Sequence, residues 1–184
     1  MSIVMVPRAQ VENPAGNGEK PFPAGDWIGR VDEVRQSGVP KYLEGADFPT
    51  QGYSSEDVTT ISLQVGSNKP LSGQAEVGER KFFIDFVVAD GRYNLSNIDP
   101  IAKEHEAWQL QRSFTKIAGL ALALGMAEEV EGGNIAFDPD AVVEFLLGDV
   151  KGTEIGYSIY HRNYKRKDGT PGVDEQVGGF FPAV

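Results

Sequence analysis

The feature that most constrains the fold is an alternation of apolar and polar side chains with a period of two, which recurs in separate stretches. In the stretch VTTISLQVG, residues 58–66, the apolar positions are Ile61, Leu63 and Val65. In ERKFFIDFVVADG, residues 79–91, Phe82, Ile84, Phe86 and Val88 alternate with Lys81, Phe83, Asp85 and Val87. This periodicity predicts half-buried strands that pack one face against a core.

Three more stretches read as strands. Residues 26–35 alternate, but the pattern slips near Arg30 and Val31, which predicts a bulge. Residues 152–164 alternate with Ile155, Tyr157 and Ile159 on one side. The segment KRKDGTPG then predicts a turn, and a last strand runs through residues 173–177.

A helical block separates the third predicted strand from the fourth. Asp99 can cap a helix that begins at Pro100 and ends at Gly125. Its apolar positions recur at spacings of four and three: Leu110, Phe114, Ile117, Ala121 and Leu124. A shorter helix repeats these signals, with Asp138 as cap, Pro139 at the start and Gly148 at the end. The acidic run between the two helices, Glu128, Glu129 and Glu131, predicts a solvated loop.

The order of these elements predicts a mainly β domain with a helical insertion. Three strands, a helical segment and two strands match a five-stranded OB-like barrel with a long helix between strands 3 and 4. Residues 1–25 lack periodicity and predict an extended N-terminal arm, so the domain itself is expected at residues 26–184. Residues 36–57 predict a long loop, either a functional excursion or a disordered segment.

Composition narrows the class of protein. The chain carries a formal net charge of -10, no cysteine, and two histidines, His105 and His161. These counts exclude a disulfide framework and leave a zinc site dependent on carboxylates. No stretch approaches the 18 apolar residues of a membrane helix, so we expect a soluble protein with no membrane partner. A local basic groove stays compatible with the acidic whole, because charges are screened over about 8 Å at physiological salt.

One segment concentrates positive charge and aromatic rings. Four of the 17 Lys and Arg residues fall in six positions of YSIYHRNYKRKDG, residues 157–169, namely Arg162, Lys165, Arg166 and Lys167. If this is a strand, Tyr160 and Tyr164 share a face with Arg162. Binding a single nucleic-acid strand without reading its sequence requires such cations and stacking faces. The alternative is a hairpin edge whose charges provide solubility and discourage aggregation.

The third strand offers the same chemistry. Lys81 and Phe83 share a face, with Arg80 just before them and Arg92 and Tyr93 just after. Burial of Phe83 under the long loop is the alternative. Lys69, between the second and third strands, could contact phosphate, although a lone loop lysine is commonly just solvated.

Catalytic patterns are weak. HEAWQ, residues 105–109, begins like an H-E-x-x-H zinc motif but ends in Gln109, so the second imidazole is missing. Asp138 and Asp140 are better explained as a helix start than as an acid-base pair. No G-x-x-x-x-G-K-[ST] loop is present. We therefore expect no enzyme activity, no cofactor and no metal.

Several segments together resemble a known family. FPAGDWIGRVDEV, RKFFIDFVV, LQRSFTKIAGLALALG, FDPDAVVEFLLGDVKGTEIGYSIY and the terminal GGFFPA resemble phage-encoded OB-fold single-stranded DNA-binding proteins found beside replication and recombination genes. The resemblance covers roughly residues 21–183. It implies DNA binding without catalysis in the host cell cytoplasm, with replication or recombination proteins as further partners and a homo-oligomer left open. The chain ends in FFPAV, whereas many such proteins end in an acidic tail that recruits partners.

A different class of function fits the same composition. The chain could serve as a virion or assembly structural protein, or as a host-interfering module that binds proteins. In that case residues 1–25, the long loop and the apolar GGFFPAV end would contact neighbouring copies or partners. A metal-dependent nuclease lacks a convergent set of ligands.

Overall fold

A computed structural model describes residues 21–39, 47–48, 53–54, 58–89 and 115–183. Within these ranges the protein is mainly β, with a five-stranded antiparallel sheet and two helices. The strands are β1 (Gly25–Ser37), β2 (Asp47–Phe48), β3 (Tyr53–Ser54), β4 (Val58–Pro70), β5 (Phe82–Ala89), β6 (Ala127–Val130), β7 (Asn134–Phe137), β8 (Glu154–Lys165) and β9 (Pro171–Phe181). The helical segments are α1, residues 115–123, and α2 (Pro139–Gly148).

The five long strands form one sheet in the order β5-β4-β1-β8-β9. All five predicted strands are confirmed, and each pairs antiparallel with its neighbours. The predicted slip in β1 is also confirmed, because its register with β4 shifts between Ile28 and Arg30 and again between Val31 and Glu33. At the first shift Ser67 of β4 adopts a left-handed conformation, with φ 51°.

The buried face of the sheet is the one that alternation predicts. Its side chains come from β1, β4, β5 and β8, and both helices pack on them: Trp27, Val31, Ile61, Leu63, Val65, Phe82, Ile84, Phe86, Ile117, Leu120, Val142, Leu146, Ile155, Tyr157 and Ile159. Val87, which alternation places on the polar side of β5, is buried as well.

A polar contact crosses this core. The Tyr157 hydroxyl donates to Asn68 Oδ1 at 2.5 Å, and Asn68 Nδ2 donates to the carbonyls of Val65 and Arg80 at 3.1 and 3.2 Å. The Asn68 amide therefore has partners for its oxygen and for both N–H groups. Gly29 lies against it, because a Cβ at that position would collide with Asn68 Oδ1 and Val65. Burial raises the pKa of the Tyr157 phenol well above its ordinary value.

The C-terminal end of α1 and the N-terminal end of α2 follow the predicted signals. α1 closes at Gly125, where φ is 73°, and the Gly125 and Met126 amides donate to the carbonyls of Leu122 and Ala121. These two bonds form a Schellman cap. The Asp138 side chain accepts from the amides of Asp140 and Ala141 at 3.0 and 3.3 Å, so it is the N-cap of α2. The part of the predicted long helix before residue 115 lies outside the described residues.

Two loop predictions need correction. The acidic run between the helices is a β-hairpin, in which β6 and β7 pair and Gly132 and Gly133 turn with positive φ. Glycine permits that turn, and β6 is too polar for alternation to reveal it. Within residues 36–57, β2 and β3 pair as a short ladder, and the remaining positions from 40 to 57 lie outside the described residues.

The prediction of a closed barrel is wrong, because β5 and β9 are the two edges of an open sheet. The edges nevertheless approach through side chains. The rings of Phe86 and Phe180 stack with centroids 6.1 Å apart. On β5, Lys116 of α1 donates to the Asp85 carbonyl at 2.7 Å and lies over the Phe86 ring. Side-chain packing and α1 thus occupy the space between β5 and β9, which hydrogen bonds between these strands would close in a barrel.

Phe22 fills the other part of this gap. Its side chain is 1% exposed and packs on Trp27 and Phe82, with ring centroids 5.0 and 5.1 Å away. Its amide donates to Glu175 Oε1 at 2.8 Å, and its carbonyl lies 2.7 Å from His161 Nε2. Glu175 and His161 are cross-strand partners in β9 and β8. Phe22 therefore connects the start of β5 to the β8–β9 pair.

Candidate nucleic-acid interface

The basic and aromatic segment lies on a two-stranded extension of the sheet. β1 pairs with β8 only as far as Gly25 opposite Ile159. From Tyr160 to Lys165, β8 pairs with β9 as far as Pro171. We call residues 160–176 the β8–β9 arm. Its outer face carries Tyr160, Arg162 and Tyr164, opposite in direction to the buried Ile159. The predicted shared face is therefore present.

Each tyrosine of the outer face lies over a glycine of β9. A Cβ added at Gly172 would meet the Tyr164 ring at 2.6 Å, and one added at Gly178 would meet the Tyr160 ring at 3.1 Å. Tyr160 and Tyr164 remain 40% and 41% exposed. One side of each ring thus rests on backbone while the residue stays open to solvent, which is the form a stacking surface needs. The same contact also has a structural use, since an aromatic ring shields a strand glycine.

Between the tyrosines lies an ion pair that single-residue patterns do not reveal. Arg162 faces Asp174 in the ladder, and its Nη2 donates to Asp174 Oδ2 at 2.8 Å. The Gln176 amide also donates to this carboxylate. The sequence signal for Asp174 is the register across the turn, which pairs positions 162 and 174. Arg162 is therefore not an isolated cation.

The turn at the tip of the arm presents its cations unequally. Arg166 bonds inward, donating to the Pro171 carbonyl and to Thr170, and its guanidinium lies 5.8 Å from the Tyr164 ring centroid. Lys165 and Lys167 are exposed. Asp168 accepts from the hydroxyl and amide of Thr170 at 2.6 and 3.0 Å, and these bonds hold the pKa of its carboxyl below the ordinary value. The tip thus offers two solvated lysines beside an ordered turn.

The arm is less basic than its lysines and arginines alone indicate. Residues 160–176 contain four Lys and Arg residues and three acids, Asp168, Asp174 and Glu175, so their formal net charge is +1. The rest of the chain accounts for -11, since the whole is -10. The arm thus carries a small net positive charge on a chain that is otherwise net negative, and any contact with phosphates must be short-ranged.

The second predicted segment is exposed but internally neutralised. Phe83 is 51% exposed, so the alternative of burial under the long loop is wrong for this side chain. Lys81 forms an ion pair with Asp32, which also lies 4.0 Å from Arg30 Nε. Asp85 accepts a hydrogen bond from Ser62. The surroundings of Phe83 therefore form a mixed, paired surface and not a basic patch.

The two segments are not neighbours in the ladder. Phe83 pairs with Gln64, which pairs with Glu33, whereas Tyr160 lies beyond Gly25 at the other end of β1. A different connection exists through Phe22, because the Arg80 guanidinium lies 5.3 Å from its ring centroid. Within the second segment, Arg80 is thus the residue connected to the base of the arm, because Phe22 bonds to His161 and Glu175.

The remaining predicted residues lie apart from the arm or outside the described ranges. Lys69 is exposed near the end of β4, opposite Ile28. Arg92 and Tyr93 fall outside the described residues, as do His105 and Gln109 of the HEAWQ segment.

Among the described residues, no group of three or more His, Asp or Glu side chains is placed to hold a metal ion. No helix that they form has the length and apolar character needed to cross a membrane. Compared with known proteins, the chain matches no family model and no curated protein.

Proposed function

We propose that this protein binds single-stranded DNA without catalysis, in the host cell cytoplasm during phage replication or recombination. The observation that carries the proposal is the outer face of the β8–β9 arm. Two tyrosines backed by Gly172 and Gly178 offer ring surface to bases, and Lys165 and Lys167 stand at the tip for phosphates. Stacking contributes about 1–3 kcal/mol per base. Stacking on two rings would therefore contribute more to the binding free energy than the arm's small net charge does.

The strand order supports the same proposal. The order β5-β4-β1-β8-β9 is the one expected of an OB-type barrel opened between its third and fifth strands. In that architecture the loop between the fourth and fifth strands contacts oligonucleotides. Here the corresponding turn is residues 166–170, which carries the exposed Lys167 and the ring-stacked Arg166.

The proposal is tested by fluorescence anisotropy of the full chain with labelled single-stranded and duplex DNA of the same mixed sequence. We expect tighter binding of the single strand, because bases in a duplex are already stacked. We also expect affinity to fall as salt rises, since phosphate contacts release counterions. No binding of single strands at low salt ends the proposal, and an affinity that ignores salt contradicts the phosphate contacts.

A second candidate function follows from Phe83. This ring is exposed among charges that already pair with each other, as Lys81 does with Asp32. An exposed apolar side chain within neutralised surface suits contact with a protein better than contact with a polyanion. If the chain is a virion, assembly or host-interfering protein, light scattering should detect a discrete oligomer or complex whose size does not change when DNA is added.

A further inference from the structure

The Arg162–Asp174 pair occupies the centre of the arm's outer face. Tyr160 lies two residues to one side of Arg162 and Tyr164 two residues to the other, about 6.6 Å along the strand in each direction. This step is close to the length of one extended nucleotide. If two bases stack on the tyrosines, the nucleotide between them faces the ion pair.

The ion pair retains hydrogen-bonding capacity on both members. Asp174 Oδ2 accepts from Arg162 Nη2 and from Gln176, whereas Asp174 Oδ1 has no hydrogen bond from any described residue. On Arg162 the contact uses one N–H of Nη2 within the described structure, so the second Nη2 N–H and its neighbour on the guanidinium are left over as one bidentate edge. One carboxylate oxygen and one guanidinium edge are thus available to a ligand.

A phosphate is a poor ligand for the Arg162–Asp174 ion pair. It would place a negative charge against Asp174, and like charges at this distance repel. A neutral base edge avoids that repulsion if it offers N–H donors to the carboxylate and acceptors to the guanidinium. Guanine is the base that offers two adjacent donors, N1–H and N2–H, beside the acceptors O6 and N7. Arginine binds those two acceptors in the commonest base-specific contact.

We propose that the Arg162–Asp174 pair reads guanine at the central nucleotide of a three-nucleotide site, with the two lone pairs of Asp174 Oδ1 accepting from N1–H and N2–H and Arg162 donating to O6 and N7. This inference rests on the proposed single-strand binding and adds a base preference to it. In this arrangement the tyrosine rings and the lysines bind any single strand, and the Arg162–Asp174 pair selects the base.

The test compares single strands of equal length that carry guanine, hypoxanthine, adenine or cytosine at every third position in a thymine background. Anisotropy is measured in lithium salts, which discourage guanine quadruplexes. We expect guanine strands to bind about tenfold more tightly than adenine strands, toward the lower end of the range for a good bidentate contact. Hypoxanthine, which lacks the N2 amino group, should fall between them.

The decisive variant is Asp174→Asn, with Glu154→Gln as its control. Glu154 is an exposed carboxylate at the start of β8, outside the arm, whereas Asp174 lies on β9. We expect Asp174→Asn to lose the guanine preference while still binding the thymine background, and Glu154→Gln to keep the preference. Circular dichroism melting confirms that both variants fold.

Each outcome decides something. Single-strand binding without a guanine preference, or a preference that survives in Asp174→Asn, overturns the inference and leaves the proposed function standing. Failure to bind any single strand at low salt overturns both. A preference that is lost in both variants overturns the role of Asp174, because loss of negative charge elsewhere then suffices.

Discussion

Removing the two exposed lysines of the arm's tip tests whether this turn contacts phosphates. The perturbation is the double variant Lys165→Ala with Lys167→Ala. Both side chains are exposed, while Arg166 between them stays bonded to Pro171 and Thr170, so the turn should keep its shape. For a single strand, each phosphate contact contributes about 0.7 to the slope of log affinity against log salt.

Two lost contacts should therefore reduce the slope by about 1.4. Between about 1 M and 0.1 M salt this change corresponds to an affinity loss of about 25-fold. The assay is anisotropy with one mixed-sequence single strand over a salt series. Near about 1 M salt, where screening removes most of the phosphate contribution, variant and parent should converge.

The matched control is Lys151→Ala, which removes an exposed charge at the other end of β8. That position lies outside the arm and is separated from the tip by the whole strand. The salt slope of the Lys151→Ala variant should therefore equal that of the parent. An unchanged slope in the double variant would refute the reasoning about the turn. An equal loss in Lys151→Ala would show that total charge, and not the tip, sets the affinity.

Four further predictions concern the tyrosines of the arm and of the core. Tyr164→Ala should weaken single-strand binding by about 1–3 kcal/mol with an unchanged salt slope, and Tyr164→Phe should retain most of the affinity, as anisotropy will show. Gly172→Val should displace the Tyr164 ring, whose nearest atom would lie 2.6 Å from the new Cβ, and should reproduce the affinity loss of Tyr164→Ala in a chain that still melts cooperatively. Tyr157→Phe should lower the free energy of unfolding by about 1–3 kcal/mol at neutral pH in urea titrations, because Asn68 Oδ1 loses its buried donor. Since burial raises the Tyr157 pKa in the folded state, unfolding releases a proton above about pH 10, so stability should fall there by about 1.4 kcal/mol per pH unit in the parent and less steeply in Tyr157→Phe.

Local patterns sufficed to predict the five long strands, the C-terminal end of α1 and the N-terminal end of α2. Alternation identifies β4 and β5 because one face of each is buried, and that periodicity is a direct record of burial. Asp138 and Gly125 were predictable because an N-cap oxygen and a positive φ are requirements of the helix end itself. The exposure of Tyr160 and Tyr164 follows from the same alternation.

Features that depend on register or distant contacts were not predictable. The pairing of Arg162 with Asp174 requires the ladder position of two residues joined only across the turn, and β9 also contains an extra residue, Gly178, opposite the Ser158 to Ile159 step. The ion pair between Lys81, the residue before β5, and Asp32 of β1 reaches across β4, because β5 and β1 are not adjacent in the sheet. Whether the two edges of the sheet pair or stay open likewise depends on packing in three dimensions. The contact between Phe86 and Phe180 is part of that packing and cannot be read from local sequence.

Phe22 joins the root of the β8–β9 arm to the hydrophobic core. Its ring is enclosed among Trp27 and Phe82, while its main-chain atoms bond to His161 and Glu175 at the root of the arm. The root cannot swing away without breaking those bonds or withdrawing an aromatic ring from the hydrophobic centre. In native-state hydrogen exchange, amides at the root should therefore open together with those of β1, while amides at the tip exchange earlier by fraying.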